Sequence, residues 1–221
     1  MEAWWNRIWN RIRRFSVRAA DFPPPADPVL LNQVKGWFAE QLAKHHEIPI
    51  ERRGEYARAA GVIFERMTPT ALLRLRLNTR EIRFYETLDE LTADLARTER
   101  AVQSNLVRGI PIGGAYDLGW RRLHLNGGDA GVPNRDILSL YGHEFSHAIN
   151  GPDREISSSP AWHSAWKKEI GGSRMSLPAL TSPQEGFAEF GKFLYSGTVS
   201  RKAFERRLPL CVEVWRGYGI W

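Results

Sequence analysis

Two histidines stand four residues apart in the segment LYGHEFSHAINGP, and a glutamate directly follows the first of them. In a helix, a spacing of four residues returns to within about 40° of the same face, so His143 and His147 can reach one cation. Glu144 is turned away from that axis and can take a proton from a water molecule beside the cation. These groups are typical of hydrolytic zinc sites, so the segment predicts a metal centre with Glu144 as general base.

A catalytic zinc site takes a third protein ligand. Two candidates downstream of the motif are Asp153 and His163. Asp153 offers a carboxylate, but Pro152 beside it indicates that the helix has already ended. His163 is the only histidine that follows the motif. It stands beside tryptophans in a short predicted helix that begins at Ser159, and we expect its ring on the exposed side. Both residues are weaker candidates than a carboxylate further along the chain.

That carboxylate is Glu185, in the segment TSPQEGFAEFGKFLYSG. Ser182 predicts the start of a helix, and Glu185 and Glu189 then lie one turn apart on the same face. If this helix crosses the histidine helix, Glu185 completes a set of two histidines and one glutamate, and Glu189 can accept the free N–H of a ligand histidine. Ser182 with Glu185 also fits a capping box, in which the glutamate caps only its own helix. The capping box leaves Glu189 without a role, so we favour the ligand.

The two segments HEFSHAI and PQEGFAEFGKFL together resemble the catalytic region of the anthrax toxin lethal factor family, which includes the secreted Pro-Pro endopeptidases. The similarity covers residues 138–149 and 182–194. It implies a zincin-like endopeptidase with Zn²⁺ bound by His143, His147 and Glu185, with Glu144 as general base and Glu189 supporting a ligand histidine.

The segment GAYDLGWRRLHLNGG is similar to the edge strand that lines the substrate cleft in this family. The resemblance implies that a peptide substrate adds as a strand beside Trp120, Leu123 and Leu125. His124 lies in the same predicted strand, outside any metal-ligand spacing, and is interpreted as an ordinary sheet residue.

Two positions depart from the family pattern. Ser146 replaces a glycine within the motif, which is an exchange of one small residue for another. Pro178 stands where the family has a tyrosine that is thought to stabilise the oxyanion. The remaining candidates for an oxyanion donor are Tyr116, Tyr195, His163 and Arg174, and the sequence does not choose among them.

Residues 1–20 form a separable segment that is rich in arginine and tryptophan. Its apolar residues recur at helical spacing and predict one apolar face: Trp4, Trp5, Ile8, Trp9, Ile12 and Phe15. This face, residues 4–15, could lie on an anionic membrane surface, or pack on this domain or on a partner protein. The composition also fits an organellar transit peptide. Residues 21–28 are predicted to form an extended proline-rich linker.

The amino-acid composition and the net charge limit the classes of protein to which this chain can belong. The chain of 221 residues is 43% hydrophobic and 25% charged, which is typical of a globular protein. A single cysteine, Cys211, excludes a disulfide framework, and we expect it to be a buried structural residue. The net charge is +6, and residues 1–20 supply five arginines against one glutamate, or +4. The remainder is therefore only mildly basic, and no nucleic-acid partner is expected. No standard signal peptide is recognisable, which favours a cytoplasmic or peripheral membrane location over classical secretion.

The periodicity of residues 29–221 predicts one α+β domain of helices with a small mixed sheet. Helices are expected from residues 30 to 47, 55 to 67, 88 to 102, 136 to 150, 160 to 171 and 182 to 194. Alternating apolar residues on both sides of NTR predict a β-hairpin, with Leu73, Leu75 and Leu77 in its first strand.

The sequence thus predicts a zinc-dependent endopeptidase that acts on a protein or peptide substrate. The alternative is a membrane- or partner-binding protein whose zinc site is structural or degenerate.

Overall fold

The computed structural model describes residues 27–46, 48–98, 114–126, 136–171 and 175–221. Within these residues the chain is an α+β protein, with many helices and a small mixed sheet. The segment 1–20, most of the linker 21–28 and Arg174 lie outside the described residues. The last linker residue, Pro28, already belongs to a helix that Asp27 caps by accepting from the N–H groups of Val29 and Leu30.

The elements follow one another in an order that leaves the two motif helices in the second half of the chain. The described helices are α1 (Pro28–Ala43), α2 (Ile50–Phe64), α3 (Pro69–Asn78), α4 (Leu88–Thr98), α5 (Ile137–Asn150), α6 (Pro160–Ala165), α7 (Leu177–Thr181), α8 (Pro183–Tyr195), α9 (Arg201–Arg207) and α10 (Pro209–Gly217). A π-helix, Trp166–Ile170, directly continues α6. The strands are β1 (Glu81–Tyr85), β2 (Gly114–Asp117) and β3 (Arg122–Asn126).

The predicted hairpin across NTR is wrong. Residues 69–78 form α3, which begins at Pro69 with Thr68 as its N-cap. Leu75 is fully buried, whereas Leu73 and Leu77 are 46% and 63% exposed, so the alternation of leucines does not correspond to a buried face. The strand that follows, β1, pairs in parallel with β3 instead of folding back on its predecessor.

The edge position predicted for residues 120–125 is also wrong. The strand order is β1-β3-β2, so β3, which contains Leu123 and Leu125, is paired on both sides. Trp120 lies in the turn before β3 and is 64% exposed. Among the described strands, β2 is at the edge of the sheet, paired antiparallel with β3.

Helix α5 packs against elements that precede it and elements that follow it in the described chain. It packs against α2, α3 and α8 and against the strands β2 and β3. Its buried apolar residues include Tyr141, Phe145 and Ile149. Burying each large apolar side chain contributes about 1.5 to 3 kcal/mol, so the position of α5 is strongly fixed by its neighbours. Among the described residues, no helix is both long enough and apolar enough to cross a membrane.

Candidate metal centre

The ends of α5 are fixed by capping contacts. Asp136 accepts a hydrogen bond from the N–H of Leu138, and Gly151 follows the last turn with a φ of 86°, which favours glycine. Two side chains of α3 bind carbonyls of the last turn: Asn78 Nδ2 donates to Ala148 O at 2.9 Å, and Arg74 Nε donates to Ile149 O at 2.8 Å. Asp136 and Gly151 therefore bound α5 close to the predicted span of residues 136 to 150.

The start of α8 is braced by two tryptophans. Ser182 Oγ accepts from the N–H of Glu185 at 3.1 Å. Trp162 Nε1 donates to Pro183 O at 2.8 Å, and Trp166 Nε1 donates to Ala179 O at 2.8 Å. The Trp166 ring packs so closely on Gly186 that a Cβ there would come within 2.6 Å of Nε1. These contacts hold the turn that carries Glu185.

Small residues allow α5 and α8 to approach each other closely. A Cβ on Gly142 of α5 would lie 3.2 Å from the backbone of Lys192, and a Cβ on Gly191 of α8 would overlap the side chain of Ser146. Ser146 Oγ donates to Gly142 O at 2.7 Å within its own helix. Ser146 therefore fits at this crossing because the facing residue, Gly191, has no side chain.

The crossing brings the three predicted metal ligands together. His143 Nε2 and His147 Nε2 are 3.2 Å apart. Glu185 Oε2 lies 3.4 Å from His143 Nε2, and Glu185 Oε1 lies 3.6 Å from His147 Nε2. Ligands about 2.0 to 2.2 Å from a tetrahedral Zn²⁺ stand about 3.3 to 3.6 Å from one another. The three residues form the one group of metal-binding spacing found among the described residues, and their geometry fits a zinc ion.

The pKa values of His143, His147 and Glu185 indicate a negatively charged carboxylate beside two imidazoles, as in a cation site. Burial alone would lower the pKa of His143, but its close contacts with the carboxylates of Glu185 and Glu189 outweigh burial and raise the pKa to about 10. Burial lowers the pKa of His147 to about 4. Burial works to raise the pKa of Glu185, yet the neighbouring histidines lower it to about 2. The carboxylate is thus ionised and faces one positive charge, which a metal ion can supply in place of the proton on His143.

Glu189 lies behind His143, as the spacing on α8 predicts. Its Oε1 is 2.9 Å from His143 Nδ1, and its side chain is buried. A carboxylate beside Nδ1 favours the tautomer that carries its proton on Nδ1 and leaves the lone pair on Nε2 for a metal. Burial works to raise the pKa of Glu189, but contacts with His143, Lys192 and Ser176 lower it to about 2.

Glu144 projects from α5 toward the edge strand. It is buried, and it packs against Gly114 of β2, where a Cβ would come within 2.6 Å of Glu144 Cγ and 2.9 Å of Oε1. Its charge contributes to the raised pKa of His143, so the carboxylate lies close to the metal ligands. Only glycine at position 114 leaves room for it.

The competing third ligands do not join the group. Asp153 is exposed in the turn after α5, and His163 is exposed on α6. Ser182 does cap α8 through the N–H of Glu185, but both carboxylate oxygens of Glu185 face the histidines. Capping by Ser182 and ligation by Glu185 are therefore compatible.

The candidate oxyanion donors lie elsewhere. Tyr195 is fully buried and its hydroxyl donates to Ile220 O at 3.0 Å, so this candidate is wrong. The Tyr116 hydroxyl donates to Asn78 O at 2.6 Å, and burial raises its pKa to about 12. His163 is exposed on α6 and is not part of the ligand group. Pro178 lies in α7, close in sequence to Ser176, whose hydroxyl contacts Glu189.

Sequence reasoning missed three residues that shape the centre, namely Gly114, Trp166 and Lys192. The glycine-rich stretch before β2 gave no indication that one glycine faces Glu144. Trp166 lies in the helix predicted for residues 160 to 171, but the sequence does not indicate that its ring packs on Gly186. Lys192 follows Glu189 by three residues, a spacing typical of ion pairs on a helix, and that signal could have identified it. Comparison with protein-family models, with curated proteins and with solved structures finds no match to this chain.

Proposed function

We propose that this chain is a zinc-dependent endopeptidase with a zincin-like catalytic domain, similar to the lethal factor family. The observation that carries the proposal is the spacing of His143, His147 and Glu185, whose ligand atoms are 3.2 to 3.6 Å apart at the crossing of α5 and α8. When bound, Zn²⁺ supplies a Lewis acid that polarises a peptide carbonyl and acidifies a water molecule.

Glu144 has the properties of a general base in this reaction. Its carboxylate lies beside the ligand histidines but is not one of the ligand group. In the proposed reaction Glu144 takes the proton of the attacking water and passes it to the leaving amine. Gly114 keeps the position beside this carboxylate free of a side chain.

The edge strand β2 supports a peptide as the substrate. Within the described part of the chain β2 pairs only with β3, so its other edge offers backbone N–H and C=O groups to an added strand. Because Gly114 of β2 touches Glu144, a peptide bound along this edge would run beside the general base. The substrate edge is thus proposed at residues 114–117, in place of residues 120–125.

The alternative of a structural or degenerate zinc site also has an observation in its favour. Pro178 stands where the lethal factor family has a tyrosine. The hydroxyls of Tyr116 and Tyr195 each donate a hydrogen bond to a backbone carbonyl oxygen. Loss of an oxyanion donor typically costs about 10² to 10³ in rate, so a slow enzyme is expected from the endopeptidase proposal. A binding protein with a zinc site would show no cleavage at all.

Zinc content and cleavage of a quenched peptide library test the proposal in the full chain. We expect the wild type to hold one zinc ion and to cleave. Glu144→Gln should keep the zinc and cleave about 10²- to 10⁴-fold more slowly, because only the general base is removed. His147→Ala should lose the zinc. Glu213→Gln, which removes an exposed carboxylate from α10, is the matched control and should leave both unchanged.

Two outcomes contradict the proposal in different ways. A wild-type chain that holds no zinc refutes the metal centre. If the wild type and Glu144→Gln both hold zinc and neither cleaves a peptide, the endopeptidase proposal is refuted and a structural zinc site is favoured.

A further inference from the structure

Lys192 forms a close ion pair next to the candidate metal centre. Its Nζ lies 3.0 Å from Glu189 Oε1 and 3.1 Å from Glu189 Oε2, so the ammonium contacts both carboxylate oxygens. The Glu189 side chain is only 3% exposed, whereas that of Lys192 is 29% exposed. The carboxylate is therefore withdrawn from water and depends on its protein partners.

One oxygen of Glu189 is shared between Lys192 and a metal ligand. Oε1 lies 3.0 Å from Lys192 Nζ and 2.9 Å from His143 Nδ1. The three side chains thus form a continuous chain of contacts that ends at the ring of His143. The other nitrogen of that ring, Nε2, faces Glu185 and His147.

The backbone of Lys192 is fixed beside the same histidine. A Cβ on Gly142, which precedes His143, would lie 3.2 Å from both the Cα and the carbonyl oxygen of Lys192. The Lys192 ammonium also lies 5.2 Å from the centre of the Phe193 ring. Backbone packing and the ion pair therefore both hold this lysine beside His143, the first residue of the segment HEFSHAI.

The buried Glu189 carboxylate depends on Lys192 as one of its partners. Three glutamate side chains gather at the centre, from Glu144, Glu185 and Glu189. A buried carboxylate needs cations or hydrogen-bond donors in place of water. For Glu189 these partners include His143 Nδ1 and Lys192 Nζ, and Lys192 Nζ contacts both of its oxygens.

We propose that Lys192 is a positioning residue of the metal centre. Its ammonium contacts both carboxylate oxygens of Glu189 and holds Oε1 beside His143 Nδ1, and thereby aims His143 Nε2 at the metal. The inference rests on the proposed zinc site, but it does not require that the chain be a peptidase.

Zinc affinity in a double-mutant cycle tests this role. Dissociation constants are measured by competition with a chromophoric chelator for the wild type, Lys192→Met, Lys192→Arg, Glu189→Gln and the double variant Lys192→Met/Glu189→Gln. Loss of a residue that orients a ligand typically weakens metal binding about 10- to 100-fold, and we expect this for Glu189→Gln. Lys192→Met should weaken zinc binding about tenfold, and Lys192→Arg, which keeps the charge, should remain within about threefold of the wild type.

The double variant separates positioning from a merely structural contribution. If Lys192 acts through Glu189, adding Lys192→Met to Glu189→Gln causes no further loss. The visible spectrum of bound Co²⁺ should change in the same way in both single variants, because both release His143. Lys192→Gln provides a second neutral variant if Lys192→Met fails to fold in thermal melts.

Three results overturn the proposal. Tighter zinc binding by Lys192→Met would mean that the ammonium only repels the cation, and additive losses in the double variant would mean that it acts independently of Glu189. Unchanged affinity in Lys192→Met, with zinc bound normally by the wild type, refutes this inference alone. A wild type that binds no zinc refutes the proposed metal centre together with it.

Discussion

His124 is a fully buried histidine on the opposite face of the sheet from the main core. Its Nδ1 lies 2.7 Å from Tyr85 Oη, and the Tyr85 hydroxyl donates to Asp94 Oδ2 at 2.5 Å. Because the tyrosine proton goes to the carboxylate, His124 Nδ1 carries a proton and donates it to Tyr85. Burial lowers the pKa of His124 to about 4. The residue is a neutral member of the sheet, as its position outside any ligand spacing predicts.

We expect His124 to make the protein less stable in mild acid. In the unfolded chain its imidazole gains a proton near pH 6.5, whereas in the folded chain it does so only near pH 4. The unfolded state therefore binds more protons between these values, and the free energy of unfolding falls as the pH drops through this window. The difference between these two pKa values corresponds to about 3 kcal/mol of folding stability, which is fully lost below pH 4.

Urea unfolding of the wild type and of His124→Asn at pH 7 and pH 4.5 measures this effect. The asparagine keeps a donor for Tyr85 but does not titrate, so the variant removes the contribution of His124 and retains those of the other ionisable groups. The stability difference between the two proteins should move by about 2 to 3 kcal/mol in favour of the variant at the lower pH. An unchanged difference would contradict a neutral buried His124.

At the scale of the elements, local signals predicted the helices that carry the site. Asp136 and Gly151 bound α5, and Ser182 with Pro183 begins α8, because a cap depends on residues that are adjacent in sequence. The candidate ligand Glu185 was found by the same logic, since its spacing to Glu189 places both on one helix face. These signals do not depend on the rest of the fold.

The elements that were predicted wrongly depend on contacts between distant parts of the chain. Pro69 follows the helix predicted for residues 55 to 67, and with Thr68 it begins α3 instead of a strand. The alternation of Leu73, Leu75 and Leu77 resembles that of a strand, but Leu73 and Leu77 are exposed on a helix. Which of these leucines are buried depends on packing with distant elements, which the local pattern does not show. The strand β3 is central because β1 pairs with it in parallel after an intervening connection, and strand order cannot be read from the pattern of one strand.

The crossing of α5 and α8 leads to a prediction about Gly191. A Cβ at this position would overlap Ser146 and come within 3.0 Å of Trp215, so Gly191→Ala should push the helices apart. We expect the variant to lose about 1 to 3 kcal/mol of stability and to bind zinc more weakly, because Glu185 moves away from the histidines. Thermal melts and chelator competition measure the two effects.

A compensating substitution distinguishes this clash from a general effect of alanine. Ser146→Gly removes the atoms that the new Cβ would meet, so the double variant Ser146→Gly/Gly191→Ala should recover much of the zinc affinity. Gly36→Ala in α1, where nothing lies within 4 Å of the new Cβ, is the matched control and should gain about 0.5 to 1 kcal/mol. If Ser146→Gly did not improve zinc binding by Gly191→Ala, the helix contact would not set the ligand geometry.

At the scale of the whole molecule, the candidate centre joins two sets of elements. Helix α5 packs with α2, α3 and the sheet, whereas α8 packs with α7 and the π-helix, and the π-helix contacts α10. Glu169 of the π-helix accepts from the N–H groups of Leu210 and Cys211 and so caps α10. Cys211 is fully buried there, as predicted, and burial raises the pKa of its thiol. A metal held by residues of α5 and α8 would link both sets.

We therefore expect zinc to stabilise the whole domain and not only its site. A ligand that binds only the folded state stabilises it by about 4 kcal/mol at a thousandfold excess over its Kd, which for a chain of this size raises Tm by roughly 8 to 16 °C. Differential scanning calorimetry of the chelator-treated chain, with and without added zinc, measures the shift. Glu144→Gln should retain it, since Glu144 is not in the ligand group, whereas Glu185→Ala should lose most of it. Equal shifts in Glu185→Ala and the wild type would mean that the bound zinc lies elsewhere, because a cation held by the two histidines alone would lose its link to α8.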